Sequence, residues 1–546
     1  MSNNIHTKSL LFFTLLIIVA CDDHSNIESD RSVFYYNEAA GITSLDPAFA
    51  NNQENIWWVN QVFDGLVEMD DSMKVVPLIA RSWEVDRTAT KYTFHLRDDV
   101  FFHDNECFPD SIGRRVIAQD FVYSFERIRK KRVISPGIWI FSQVREDEPF
   151  IAINDNTLEI HLQRPFAPFL SILSMQYCSV IPKEAESHFK NDLSRNPVGT
   201  GPFKLNFWLE NNVLALVKNE RFFQKENGDQ LPFLDAVKVN FVRDKSAMYL
   251  DFLKGKYDMI SSLHPSYKDE LLTRHGDLKD IHKSKYYLQK QPYLKTDYLG
   301  FQLDRENHLS KDHPFQNKLV RQALNLVIDR KEMVLFIKNN TSRAAHSGFV
   351  PPAIVNKSKD LFKYEHDPNR AKELLKEAGY EGGKGIPEIP LATTQDYVDL
   401  CEYVQNQFMK IGVKVNIEVM PTANQRSDVA NGRSIFFRKS WIADYADAEN
   451  FLGLFYSKNF APNGSNYTHF QNEVFDELYS SALASGEQSR REQLYSQMDS
   501  ILSEEAPVIP LFYDEVIRFV SKDISGLNSN AMNLLDLKRV KKAKRL

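Results

Sequence analysis

The chain has 546 residues, 43% hydrophobic and 26% charged, with no low-complexity region. That is too long for one core, so two or more domains are expected. A net charge of −6 gives no global pull toward nucleic acid, and the basic run Lys538–Arg545 is short enough to be a solvated end.

At the N-terminus Lys8 is the only formal charge in the first twenty residues, and an apolar run follows from Leu10 to Ala20. The run is about half of the roughly 20 residues a membrane-spanning helix needs, and its length suits the h-region of a signal peptide. It ends in Ile18-Val19-Ala20-Cys21, followed by the polar break Asp22-Asp23-His24. This phrase resembles the lipobox of bacterial lipoproteins. The resemblance implies a signal peptide over 1–20, lipid on Cys21, and a tether over 21–32 that anchors an otherwise soluble chain. Of the other cysteines, Cys107, Cys178 and Cys401, at most one pair can close; Cys107–Cys178 is the candidate, with its geometry unset by sequence. No pair has metal-ligand spacing.

Residues 33–290 read as mixed strands and short helices. Lys91–Arg97 and Ala236–Val242 alternate as strands do, and Ala118–Arg127 suits a helix. Beyond about 290 the pattern turns α/β. Lys318–Val334 puts Leu319, Val320, Ala323, Leu324, Val327 and Ile328 on one helical face. Asp367–Tyr380 is punctuated as a helix, with Asp367 as N-cap, Pro368 first and Gly379 as stop. Ile389–Ala392, Tyr397–Ile411 and Val413–Val419 then read strand, helix, strand, a βαβ unit that implies a parallel sheet. A helix over 490–504 and a strand-like Pro507–Tyr513 close the series. A mixed body bracketing an α/β body suggests a cleft between them.

Catalytic signatures are scarce: no G-x-S-x-G, H-E-x-x-H, P-loop or CxxC occurs. Gly199-Thr200-Gly201 leads into a strand-like KLNFW and not a helix, so it reads as a tight turn and not a phosphate loop. His308 and His313 fall in a polar loop, and His103-Asp104 could pair at a strand end.

The phrases themselves carry more. Ser44-Leu45-Asp46-Pro47, Val62–Val67 (VFDGLV), Pro77–Trp83 (PLIARSW), Ala118–Phe125 (AQDFVYSF), Pro197–Phe203 (PVGTGPF), Val320–Asn325 with Ile328–Arg330, Arg370–Leu375 with Glu377–Tyr380, Trp441–Asp447 (WIADYAD) and Ala506–Tyr513 occur in order. This ordered series, spanning about 33 to 525, resembles the family 5 extracellular solute-binding proteins, the peptide-binding components of ABC importers. The resemblance implies an α/β, two-lobed periplasmic-binding-protein-like fold (type II, cluster C) with an extra subdomain in lobe 1 and a hinged ligand cleft. Lobe 1 is then expected over 33–292, with an inserted subdomain at about 75–195, lobe 2 over 293–506, and a return to lobe 1 over 507–546. Closure about the hinge would enclose a ligand.

It further implies capture of short peptides and delivery to ABC permease subunits. The protein would be a monomer, lipid-anchored in the cell envelope and facing the periplasm or exterior, with no catalysis, cofactor, metal or nucleic acid. In peptide-binding members the aspartate of the W-x-x-D phrase, here Asp444, meets the ligand α-amino group. Arg438, three residues before Trp441, is placed for a peptide carboxylate or is a strand-edge cation. Trp441 either flanks a ligand side chain or packs, and Trp139 lies where lobe 1 approaches the ligand. Other solutes on the same scaffold are the alternative: a metal chelate, an oligosaccharide or haem, or a role presenting ligand to a sensor. Two departures stand out: Ala448 where the family has proline, and a longer segment 105–117 carrying Cys107 and two arginines.

Overall fold

The structure is a computed structural model that describes residues 32–190, 192–261, 265–354 and 364–543. Cys21 and the expected signal peptide lie outside the described residues. Among those described, no helix is long and apolar enough to cross a membrane.

Two long strands organise the molecule. Tyr286–Phe301 and Val508–Ser521 run antiparallel side by side, and their pairing is interrupted between Pro292 and Thr296. They form the middle of a seven-stranded sheet. On one side stand the short strands Met259–Ser261 and Ser342–Ala344, each paired with Val508–Ser521; on the other stand Phe436–Ile442, Ile389–Thr393 and Val415–Val419. At one end these strands contribute Tyr286, Ile517, Phe519 and Val520 to apolar clusters of the lobe that holds the N-terminal half. At the other end they contribute Leu299, Phe301, Ile509 and Leu511 to the core of the second lobe. The fold is thus the expected two-lobed one.

The first lobe holds two four-stranded sheets. One has the order Val33–Asn37, Ala236–Asn240, Val213–Lys218, Phe203–Leu209; the other has Ala80–Val85, Lys91–Leu96, Thr157–His161, Phe150–Asn154. Gly199 and Gly201 are needed for close approach. A Cβ at either would meet the Val62 backbone, at 2.0 Å and 2.5 Å, where the helix Gln53–Val62 ends. The expected tight turn is therefore a contact site, fastened by Thr200 donating to Asp64 at 2.8 Å. His103 binds the Gly201 carbonyl at 2.9 Å, while Asp104 pairs with Arg221, so the two neighbours do not pair with each other. In the 105–117 segment Arg114 clamps both Asp120 and Glu184.

The second lobe carries the expected βαβ unit. Ile389–Thr393 runs parallel to Val415–Val419, with helix Val398–Met409 between them. Asp367 caps Pro368–Glu377 by accepting from the Arg370 amide at 2.9 Å, and Gly379 stands at φ +88°. The single helix expected over 318–334 is instead two, Lys318–Leu326 and Arg330–Lys338. Asp329 accepts from the Glu332 amide and starts the second one afresh. The three described cysteines are free. Cys178 is fully buried with its thiol toward the Ile172 carbonyl, and Cys107 sits in the clamped segment, so the candidate Cys107–Cys178 disulfide is not formed.

Candidate ligand cleft

The strand Phe436–Ile442 positions most of the expected residues. Along one edge it pairs with the crossing strand, from Phe301↔Phe436 to Lys295↔Ile442. Along the other it meets Ile389–Thr393 only at Phe436 and Phe437. Among the described residues no strand lies beside that edge past Phe437. The Ala443 amide donates to the Leu294 carbonyl at 2.9 Å, on the paired side. Backbone groups alternate along an antiparallel strand, so Ser440 and Ile442 turn their N–H and C=O to the open edge. Nearer the paired end the Arg438 carbonyl is taken, by Gln425 Nε2 at 2.7 Å.

At the end of this edge the chain turns through Ala443-Asp444-Tyr445. Asn450 Oδ1 holds the turn, accepting from Trp441 Nε1 at 2.9 Å and from the Asp444 amide at 3.2 Å. Trp441 is half-buried against the apolar cluster of this lobe, so packing and indole anchoring are its observed roles. Asp444 is exposed to open space, yet enough protein stands round it to raise its pKa above the ordinary carboxylate value, opposed by a hydrogen bond from the Asn450 side chain. Among the described residues no cation pairs with it.

The first lobe faces Asp444 with aromatic rings. Trp139, 38% exposed, has its ring 6.2 Å from that of Tyr445. Tyr177 lies close enough that burial and then the Asp444 charge push its phenol up to about 12. Gly137 makes this wall possible, since a Cβ there would strike the Tyr177 ring at 2.4 Å. Tyr445 itself is buried within the core of the first lobe. A carboxylate near the Tyr177 ring, next in the chain to the Tyr445 that meets Trp139, is suited to an ammonium group, by charge and by cation–π attraction.

Behind the turn lies a buried network. Glu449 accepts from both Tyr445 and Tyr479; Asp447 accepts from Tyr495 at 2.7 Å and pairs with Arg491. Burial pushes the Glu449 carboxyl up to about 7, against those tyrosine hydrogen bonds. Asp447 also accepts from the Glu449 amide at 3.0 Å, which orders the loop where Ala448 replaces the family proline. Asn450, Glu449 and Arg491 were not marked by sequence reasoning. The spacing from Asp447 to Asn450 is the only local signal, and the tyrosines come from distant helices.

Arg438 departs from one of its expectations, a strand-edge cation. It is buried, pairs with the fully buried Asp297, and lies 3.1 Å from the Tyr397 ring centroid. It is therefore neither a strand-edge cation in water nor an unpaired one. Nearby, a cavity of about 360 Å³ opens beside the interruption in the crossing strands, lined by Tyr293, Lys295, Tyr397, Asp514 and Asn533 among others. Lys295 reaches Asp514 at 2.5 Å and Asp297 at 3.2 Å. Burial opposes ionisation of Asp514, but Lys295 and Lys338 hold it well below the usual carboxylate range. A larger cavity of about 600 Å³, lined by Asp304, Lys318, His469 and Glu505, has its charges matched locally, Lys318 on Glu504 at 3.0 Å and His469 on Asp304 at 3.4 Å. Its lining also carries Arg305, Glu306 and Glu473, and neither cavity is lined by Asp444, Trp139 or Tyr177, so the candidate is the open strand edge that ends at Asp444.

Comparison with known proteins agrees with the two lobes and their cleft. The chain is 28% identical over 548 residues to Heme-binding protein A of Haemophilus influenzae, covering 94% of each. It is 26% identical over 483 residues to the dipeptide-binding protein of Escherichia coli K12, covering 85% of this chain and 86% of the other. Among solved structures, the DppA periplasmic binding protein of Helicobacter pylori in complex with the peptide STSA superposes with a TM-score of 0.74 at 25% identity, over 94% of this chain and 99% of that one. HbpA2 from Haemophilus parasuis gives 0.81 at 24% identity, over 94% and 100%. Residues 74–463 match the model of the bacterial extracellular solute-binding proteins, family 5 middle region. With the ordered phrases, the two-lobed fold and this match in agreement, the chain belongs to the family 5 bacterial extracellular solute-binding proteins.

Proposed function

We propose that this protein captures short peptides with a free α-amino group in the cleft and delivers them to the permease of an ABC importer, held at a membrane by lipid on Cys21. One observation carries the reading. The Asp444 carboxylate has no cation partner among the described residues, lies near Tyr177 and beside the Tyr445–Trp139 contact, and stands at the end of an open strand edge. An extended peptide satisfies all three at once. Its backbone pairs with Ser440 and Ile442 as an added strand, and its ammonium meets Asp444. Backbone pairing ignores side chains, so a range of sequences is accepted. The relatives' names, dipeptide-binding and glutathione-binding among them, support a peptide-like solute. Haem is the second reading, favoured by the relative named for haem binding at 28% identity.

Isothermal titration with Ala-Ala-Ala and its N-acetyl form tests the first reading. The free peptide is expected to bind about 100-fold more tightly, since acetylation leaves a walled carboxylate unpaired. Equal affinity would remove Asp444 from the site. Binding of haem with no binding of either peptide would turn the assignment to the second reading.

A further inference from the structure

On the site strand Lys439 follows Arg438, and its side chain projects to the opposite face of the sheet. There its ammonium lies 3.9 Å from the Tyr467 ring centroid. Lys439 is half-buried, and among the described residues no carboxylate pairs with it and no hydrogen bond reaches its Nζ. Its charged neighbours are cations: burial, then Arg426, then Arg438 bring its pKa down to about 8. Arg426 stands on the helix Thr422–Ala430, next to the Gln425 that closes the open edge at Arg438. It too has no ion pair among the described residues. Two cations thus stand together, one of them desolvated, with nothing of opposite sign between them. A desolvated charge without a counter-ion is costly, and a folded protein seldom keeps one without a use.

We propose that Lys439, with Arg426 beside it, receives a carboxylate of the bound ligand, so that the cleft selects solutes carrying an ammonium at one end and an acidic group further along. The distances agree. Asp444 and Lys439 are five residues apart, at most about 17 Å if fully extended and less because the chain turns after Ile442, a span that a peptide of three to four residues covers. Arg438 stands on the other face of the strand, where it already pairs with Asp297. The carboxylate is either the peptide C-terminus or an acidic side chain; the chemistry at Lys439 is the same. Tyr467 flanks the pair, a ring on which the aliphatic part of such a group can pack.

This inference rests on capture along the strand edge, and the test separates the two. Wild type, Lys439→Met and Lys439→Arg are titrated with Ala-Glu-Ala, Ala-Gln-Ala and the C-terminal amide of Ala-Gln-Ala. Lys439→Met is expected to weaken Ala-Glu-Ala at least tenfold, with Lys439→Arg recovering most of the loss. If Ala-Glu-Ala alone is affected, the group is a side chain. If Ala-Glu-Ala and Ala-Gln-Ala fall together while the amide is unchanged, it is the C-terminus. Lys439→Met should melt at or above the wild-type temperature, so unfolding would not explain the loss. Wild-type affinity of Lys439→Met for all three peptides would overturn the proposal. If wild type binds no peptide, peptide capture fails by itself. The cation site then survives only if glutarate raises the melting temperature of wild type and not of Lys439→Met, and is overturned if it does not.

Discussion

The two faces of the strand Phe436–Ile442 set the same problem and answer it differently. Each carries a cation drawn out of water. On one face Arg438 is closed off by Asp297 and by the Tyr397 ring; on the other Lys439 has a ring but no anion. Asp444, just past the end of the same strand, resembles Lys439 in having no partner of opposite sign among the described residues. Charges answered inside the chain hold the fold, whereas unanswered ones are, on the function proposed, held for a partner. The difference cannot be read from residue type, since an arginine and a lysine stand next to each other in sequence.

The comparison can be broken by removing one member of each kind. Arg438→Met should have the largest effect, a loss of about 3–5 kcal/mol in unfolding free energy by denaturant titration, because it strands the buried Asp297 with Lys295 alone. Asp444→Asn should do the opposite: stability equal to or above wild type, and affinity for Ala-Ala-Ala lower by about 100-fold, or roughly 2.7 kcal/mol. A stable Arg438→Met or an unstable Asp444→Asn would undo the distinction.

Glu449 sharpens it, being answered by tyrosine hydroxyls and by no nearby cation's hydrogen bond. Burial raises its carboxyl from 4.5 to about 7, so the folded chain holds a proton that the unfolded chain releases. Its contribution to stability is full below the unfolded value and is lost as pH rises through about 7. Glu449→Gln needs no proton there. Between about pH 5 and about pH 8 wild type should therefore lose roughly 2 kcal/mol relative to Glu449→Gln, measured by urea denaturation at each pH. A pH-independent difference would place the proton elsewhere. The smallest effect is expected for Asn450→Ala. It removes the acceptor shared by Trp441 and the Asp444 amide, costing about 1 kcal/mol in stability and loosening the turn, so that affinity falls severalfold.

Much of the architecture was legible because it is written in local pattern. The caps at Asp367 and Gly379 and the βαβ periodicity over 389–419 need no distant partner. The helix over 318–334 was misread because its apolar face continues through Asp329, whose capping role outweighs that periodicity. The position of Asp444 followed from its phrase. Its setting did not, since Trp139, Tyr177 and Gly137 arrive from the other lobe. Arg438 and Lys439 were least legible. Whether a cation is answered depends on Asp297, more than a hundred residues away, and no spacing rule reaches that far.

Tyr445 belongs by sequence to one lobe and by packing to the core of the other. Swinging the lobes apart would carry that ring into water, at a cost of roughly 4 kcal/mol for a tyrosine-sized apolar surface. The hinge is therefore not a free joint. Opening has to break this contact, so the burial of one aromatic ring ties the movement of the lobes to the turn that carries Asp444.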